Sequence, residues 1–166
     1  MQPASTIILG IDPGYDRVGI AIIEKPDKGK EVVVHSTCFQ TSSKDTIYDR
    51  LHSIGLEIKA TIEKYSPTTL AIETLFITKN QKTAMRVSEA RGIIIYEALK
   101  GGLSVSEYSP MQVKMSITGD GTSDKSRIQK MVRLLVSIPK KDAIDDEYDA
   151  IAVGLTHSAM MRSLRN

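Results

Sequence analysis

Residues 6–24, TIILGIDPGYDRVGIAIIE, constrain the fold more than any other stretch of the chain. Ile7, Ile8, Leu9, Gly10 and Ile11 form an apolar run that ends on Asp12; Pro13 and Gly14 turn the chain, and a second β-branched run returns from Val18 to Ile23. Runs this short, rich in Ile and Val and bounded by Pro and Gly, predict the two strands of a hairpin. Asp12 therefore stands where a buried strand leaves the core. An ionised carboxylate in that place needs a cation, a hydrogen-bond donor or water, because burying it bare is costly. Asp-Pro-Gly is also a sufficient turn by itself, so Asp12 gains a chemical meaning only from the rest of the chain.

Three valines, Val32 to Val34, begin a third strand after the turn at Pro26, Asp27, Lys28 and Gly29, and strands joined by tight turns are antiparallel neighbours. Ser42 or Ser43 is placed to cap a helix whose apolar stripe is Ile47, Leu51, Ile54, Ile58, Ile62 and Tyr65, with Pro67 as its stop. The short strand at 68–73, TTLAIE, also ends on an acid, and a helix between two strands predicts a parallel crossover. A second helix is expected at 80–100, closed by Gly101 and Gly102; its latter half is apolar nearly all round, which leaves one face for a partner subunit, a loop or a later helix. A fifth strand follows at 103–108. Ser109 and Gln112 form a capping box around Pro110, so a short helix runs towards Gly119. Residues 124–138 place Ile128, Met131, Val132, Leu135 and Ile138 on one helical face, and the last helix begins near Asp145. The expected fold is α/β: a five-stranded mixed sheet, three antiparallel strands then two parallel ones, flanked by helices in a single domain over residues 1–166.

Asp12 and Glu73 each close an apolar strand. If those strands are parallel neighbours, both carboxylates emerge at one edge of the sheet. In the last helix, Asp146 and Asp149 are three apart and share a face that Ala150 and Val153 continue inwards, whereas Asp145 and Glu147 point elsewhere. Acids in a first helical turn are favoured by the helix dipole in any case. Two of them on an inward face nonetheless repel unless something positive lies between. Hard oxygen ligands with no His or Cys set beside them suit Mg²⁺ or Mn²⁺ and not zinc, and several carboxylates completed by a phosphate are what two-metal phosphodiester hydrolysis requires. His157, two turns after Asp149, reads first as an ordinary helix residue.

Charge is uneven. Residues 75–141 hold 12 Lys and Arg against 5 Asp and Glu although the whole chain carries only +2, so this part suits a polyanion. No apolar run approaches the roughly 20 residues of a membrane span. Cys38 is alone, which rules out an internal disulfide, and residues 1–5 show no secretory signal; both fit a cytoplasmic protein.

Asp12-Pro13-Gly14 after its strand, AIETLF at 71–76, NQKTAMRVSEARG at 80–92, QVKMSITGDG at 112–121, DKS at 124–126 and DEYDAIAVGLTH at 146–157 together resemble the RuvC family of Holliday junction resolvases, in order and over nearly the whole chain. The resemblance implies a ribonuclease H-like fold and a homodimer. It implies Mg²⁺-dependent paired nicking of four-way DNA junctions in recombination and repair, leaving 5′-phosphate and 3′-hydroxyl ends. Carried over by position, Asp12, Glu73, Asp146 and Asp149 are the metal-binding catalytic acids, and Lys114 and Lys125 are basic residues near the scissile phosphate. Phe76 matches an aromatic that engages a base near the crossover; beside Lys79 and Lys82 it offers a stacking surface for unpaired bases. A junction-binding protein and a branch-migration helicase are implied as partners. Tyr15, Val18 and Ile20 depart from the family pattern around the first turn and leave the acids intact. Two other readings, a junction-binding module that does not cut and an actin-like ATPase, fit less well: the first needs no converging acids, and the second usually needs a second similar domain.

Overall fold

The computed structural model describes residues 5–75, 80–139 and 142–163. Strands β1 (Ser5–Asp12), β2 (Arg17–Pro26) and β3 (Val32–Gln40) are antiparallel, and β4 (Thr69–Glu73) and β5 (Ser104–Tyr108) extend the sheet in parallel beyond β1, in the order β3-β2-β1-β4-β5. The helices are α1 (Ile47–Tyr65), α2 (Gln81–Lys100), α3 (Pro110–Thr118), α4 (Lys125–Leu135) and α5 (Asp145–Ser163). This is the mixed sheet expected from the order of apolar runs. α1 carries the chain from the edge strand β3 to β4, the crossover that a parallel neighbour of β1 requires.

The sheet separates two cores. Strand alternation sends Ile8, Ala21, Ile23 and Ala71 to the face covered by α3, α4 and α5, and sends Leu9, Ile11, Ile20, Ile22, Leu70 and Ile72 under α1 and α2. α5 lies on the first face, and every residue from 150 to 158 in it is buried. Two glycines decide how closely it lies there. A Cβ on Gly10 would collide with the backbone carbonyl of Ala150, and one on Gly19 with that of Asp146. β1 and β2 thus offer bare backbone to the first turns of α5, which seats its acids beside the end of β1.

Most helix boundaries follow their signals. The Ser109–Gln112 capping box is formed, and Gly119 closes α3 in the left-handed conformation. α2 is capped by the Asn80 side chain and ends at Gly101. Two expectations are corrected. Thr46, not Ser42 or Ser43, caps α1, because the Ser42 hydroxyl is used by a turn of its own, accepting from Lys44 N at 3.2 Å. α4 stops at Leu135 instead of Ile138: Val136 turns to an extended backbone and buries its side chain, while Leu135 is exposed. Glu147, expected to point elsewhere than Asp146 and Asp149, is not left to solvent by that. It is buried and accepts a hydrogen bond from Ser36 Oγ on β3 at 2.7 Å.

Candidate active site

The parallel register of β1 and β4 pairs Ile11 with Ile72, so Asp12 and Glu73 come one step later, at the carboxyl ends of adjacent parallel strands. In open α/β sheets that edge is where ligands bind. Alternation puts Asp12 on the face of Ile8 and Gly10, and Glu73 on the face of Ala71, so both acids are on the α5 side. Asp149 of α5, Pro110, Val113 and Lys114 of α3, and Lys125 and Ile128 of α4 line with them a cleft of about 260 Å³. Asp146 lies beside it, close enough for its charge to act on Asp12.

The electrostatics follow from burial among like charges. Burial first, then the charges of Asp149, Glu73 and Asp146, push Asp12 from 3.8 up to about 8, with Lys125 as the opposing charge. Glu73 is pushed up to about 7 by burial and Asp149, against Lys125 and Lys114. Burial also raises Asp149, although Lys125 Nζ donates to its Oδ2 from 3.2 Å; Lys125 itself is raised, chiefly by Asp149. Asp146 Oδ2 accepts from the Arg17 guanidinium at the start of β2. Two of the four acids are therefore held partly protonated near neutral pH, the condition a divalent cation relieves. The donor set is all carboxylate, which suits a hard cation. Among the described residues, however, no three potential ligands are gathered tightly enough to grip an ion unaided.

A family model described as "Crossover junction endodeoxyribonuclease RuvC" matches residues 8–157. The chain belongs to the RuvC family. It is 43% identical over 150 residues to the crossover junction endodeoxyribonuclease RuvC of Caldicellulosiruptor saccharolyticus, covering 90% of each chain. It is 37% identical over 160 residues to that of Petrotoga mobilis, covering 96% of this chain and 98% of the other. Among solved structures it superposes on Thermus thermophilus RuvC in complex with Holliday junction substrate with a TM-score of 0.87, at 28% identity and covering 95% and 96% of the two chains. The ribonuclease H-like sheet expected from the sequence is thus the fold that this RuvC chain has.

Of the residues singled out beforehand, Asp12, Glu73, Asp149, Lys114 and Lys125 meet in one cleft, with Asp146 at its side. Lys82 is exposed on the first turn of α2 and is not among the cleft residues. Phe76 and Lys79 lie outside the described residues. His157 is engaged in the core, its Nδ1 2.7 Å from Tyr108 Oη and its Nε2 3.1 Å from Thr69 Oγ1, and burial pushes its pKa down. Sequence reasoning missed Arg17 as a partner of Asp146. The signal was there in strand parity: Gly19 pairs with Asp12, and Arg17, two residues earlier on the same strand, shares its face.

Proposed function

We propose that this RuvC chain resolves four-way DNA junctions by metal-dependent phosphodiester hydrolysis, acting as one nuclease domain over residues 1–166. The observation that carries the proposal is the cleft in which Asp12, Glu73 and Asp149 face Lys114 and Lys125, with Asp146 beside them. The four acids are the metal ligands, Mg²⁺ is the ion with Mn²⁺ as an alternative, and two ions per site would be shared among the four carboxylates with the scissile phosphate and water completing their coordination. Held by these acids, such ions would activate a water and stabilise the departing 3′ oxygen, the chemistry that gives 5′-phosphate and 3′-hydroxyl ends. Lys114 and Lys125 hold the scissile phosphate between the acids and the α3–α4 surface. Both point charges oppose the acids in the cleft, so they reduce the repulsion that an anionic strand would meet there.

Phe76, Lys79 and Lys82 are the residues that engage unpaired bases and phosphates near the crossover in this reading. Paired nicks need two sites, and the exposed Met85, Tyr96 and Leu99 of α2 suit the interface of a homodimer. A junction-binding protein and a branch-migration helicase complete the proposed assembly in the cytoplasm. Among the described residues no helix is long and apolar enough to cross a membrane.

Incubating a synthetic mobile four-way junction with the protein, with and without Mg²⁺, tests this reading on a denaturing gel. Paired, symmetric nicks that appear only with the ion are expected. Binding without any nick in Mg²⁺ or Mn²⁺ would mean a junction-recognition module, and nicks in the presence of a chelator would mean a different chemistry.

A further inference from the structure

Two of the four acids are already paired, and from different elements. Lys125 of α4 holds Asp149, and Arg17 of β2 holds Asp146. Among the described residues no such ion pair engages Asp12 or Glu73, the two at the ends of β1 and β4. Lys114 and Lys125 thus flank the acids on the α3–α4 side, and Arg17 is their counterpart on the β2–β3 side.

Arg17 is fixed at its root and half-exposed along its side chain. Its backbone follows a turn that is tied down on three counts: the Thr41 hydroxyl donates to Tyr15 O at 2.7 Å, Thr41 N donates to Asp16 O at 2.9 Å, and the Asp16 side chain pairs with the buried Arg50. Its side chain is 47% exposed, against 23% for Asp146, and the guanidinium also meets the Cys38 thiol across the sheet. A planar guanidinium suits a phosphate as well as it suits a carboxylate, through the same parallel pair of N–H donors.

We infer that Arg17 is a substrate-phosphate residue held in reserve on Asp146. In the metal-free protein it neutralises that carboxylate; once Asp146 is engaged by a divalent ion, the guanidinium is released to bind a phosphate of the DNA on the β2–β3 side of the acids. This rests on the metal-site reading above.

Two readouts test it on the intact protein. Calorimetric titration of Mn²⁺ without DNA should show Arg17→Gln binding the ion about two- to fivefold more tightly than the unaltered protein, the range expected when a half-exposed competing pair is removed. Arg127→Gln, which removes a guanidinium paired with Asp120 instead, should leave Mn²⁺ affinity unmoved. With junction DNA, Arg17→Gln should reduce the slope of log affinity against log salt by about one, as the loss of one phosphate contact does. Unchanged Mn²⁺ affinity, or an unchanged salt slope, in Arg17→Gln overturns the inference. Failure of the unaltered protein to bind Mn²⁺ at all overturns the metal-site reading instead, so the two failures are distinct. A normal melting temperature for Arg17→Gln establishes that the folded protein is being compared.

Discussion

At the scale of single residues, Asp12 carries the sharpest consequence. Its carboxyl is held up near 8 by burial and three neighbouring acids, against 3.8 for an ordinary aspartate. A group whose pKa is raised on folding favours the folded state most where it is protonated in both states, below about pH 4. That contribution is lost as pH rises towards 8, because the unfolded chain then gains an ionised form that the fold resists. In EDTA, the melting temperature of the unaltered protein relative to Asp12→Asn should therefore fall steadily between about pH 4 and pH 8, with Asp12→Asn the more stable of the two at pH 8. Added Mg²⁺ should raise the melting temperature of the unaltered protein more than that of the variant, since only the former keeps the full set of ligands. Differential scanning calorimetry at a series of pH values measures both. A constant difference across that range would mean that the acids are not crowded.

At the scale of elements, the close seating of α5 on β1 and β2 makes the site. Gly19→Ala must push a methyl group into the carbonyl of Asp146, and neither backbone has a flexible end to give. The expected cost is roughly 1–3 kcal/mol or more, at about 2–4 °C of melting temperature per kcal/mol. Because the displaced residue is Asp146, metal affinity should fall with it. Ser36→Ala takes one hydrogen bond from the buried Glu147 carboxylate and should cost about 1–3 kcal/mol, leaving metal affinity largely intact if the helix keeps its place. Thermal melts paired with Mn²⁺ titration separate these outcomes.

The same elements show what was legible in the sequence. Parity along β1 and β4 was enough to put Asp12 and Glu73 at one sheet edge, and the i, i+3 spacing to put Asp146 and Asp149 on one helix face, because period-two and helical spacing are set by the backbone alone; that the two pairs face each other depends on where α5 packs, and only the family resemblance implied it. The capping box and the closing glycines were legible for the same reason. What escaped depended on tertiary choices. Ser42, Ser43 and Thr46 are all competent caps, and the turn that uses Ser42 decided between them. Helix α4 ended early because burying Val136 won over continuing the stripe to Ile138. Glu147 on the helix's own numbering points away from Asp146 and Asp149, yet β3 supplies a serine there, and no pattern within the helix shows that.

At the scale of the whole molecule, a sheet edge of acids stands in a chain whose residues 75–141 carry 12 Lys and Arg against 5 Asp and Glu, and whose α2 exposes Met85, Tyr96 and Leu99. The proposed homodimer gives a separate test. Sedimentation at micromolar concentration should show a dimer, and Leu99→Asp or Tyr96→Asp should shift it towards monomer while leaving the melting of each chain within a few degrees. Such monomers should make single nicks in place of paired ones. Catalysis by the acids themselves is tested most directly by removing them. Asp12→Asn, Glu73→Gln, Asp146→Asn and Asp149→Asn should each lower the single-turnover rate of junction nicking in Mg²⁺ by several orders of magnitude while junction binding survives; four variants that still cut at the rate of the unaltered protein would contradict it.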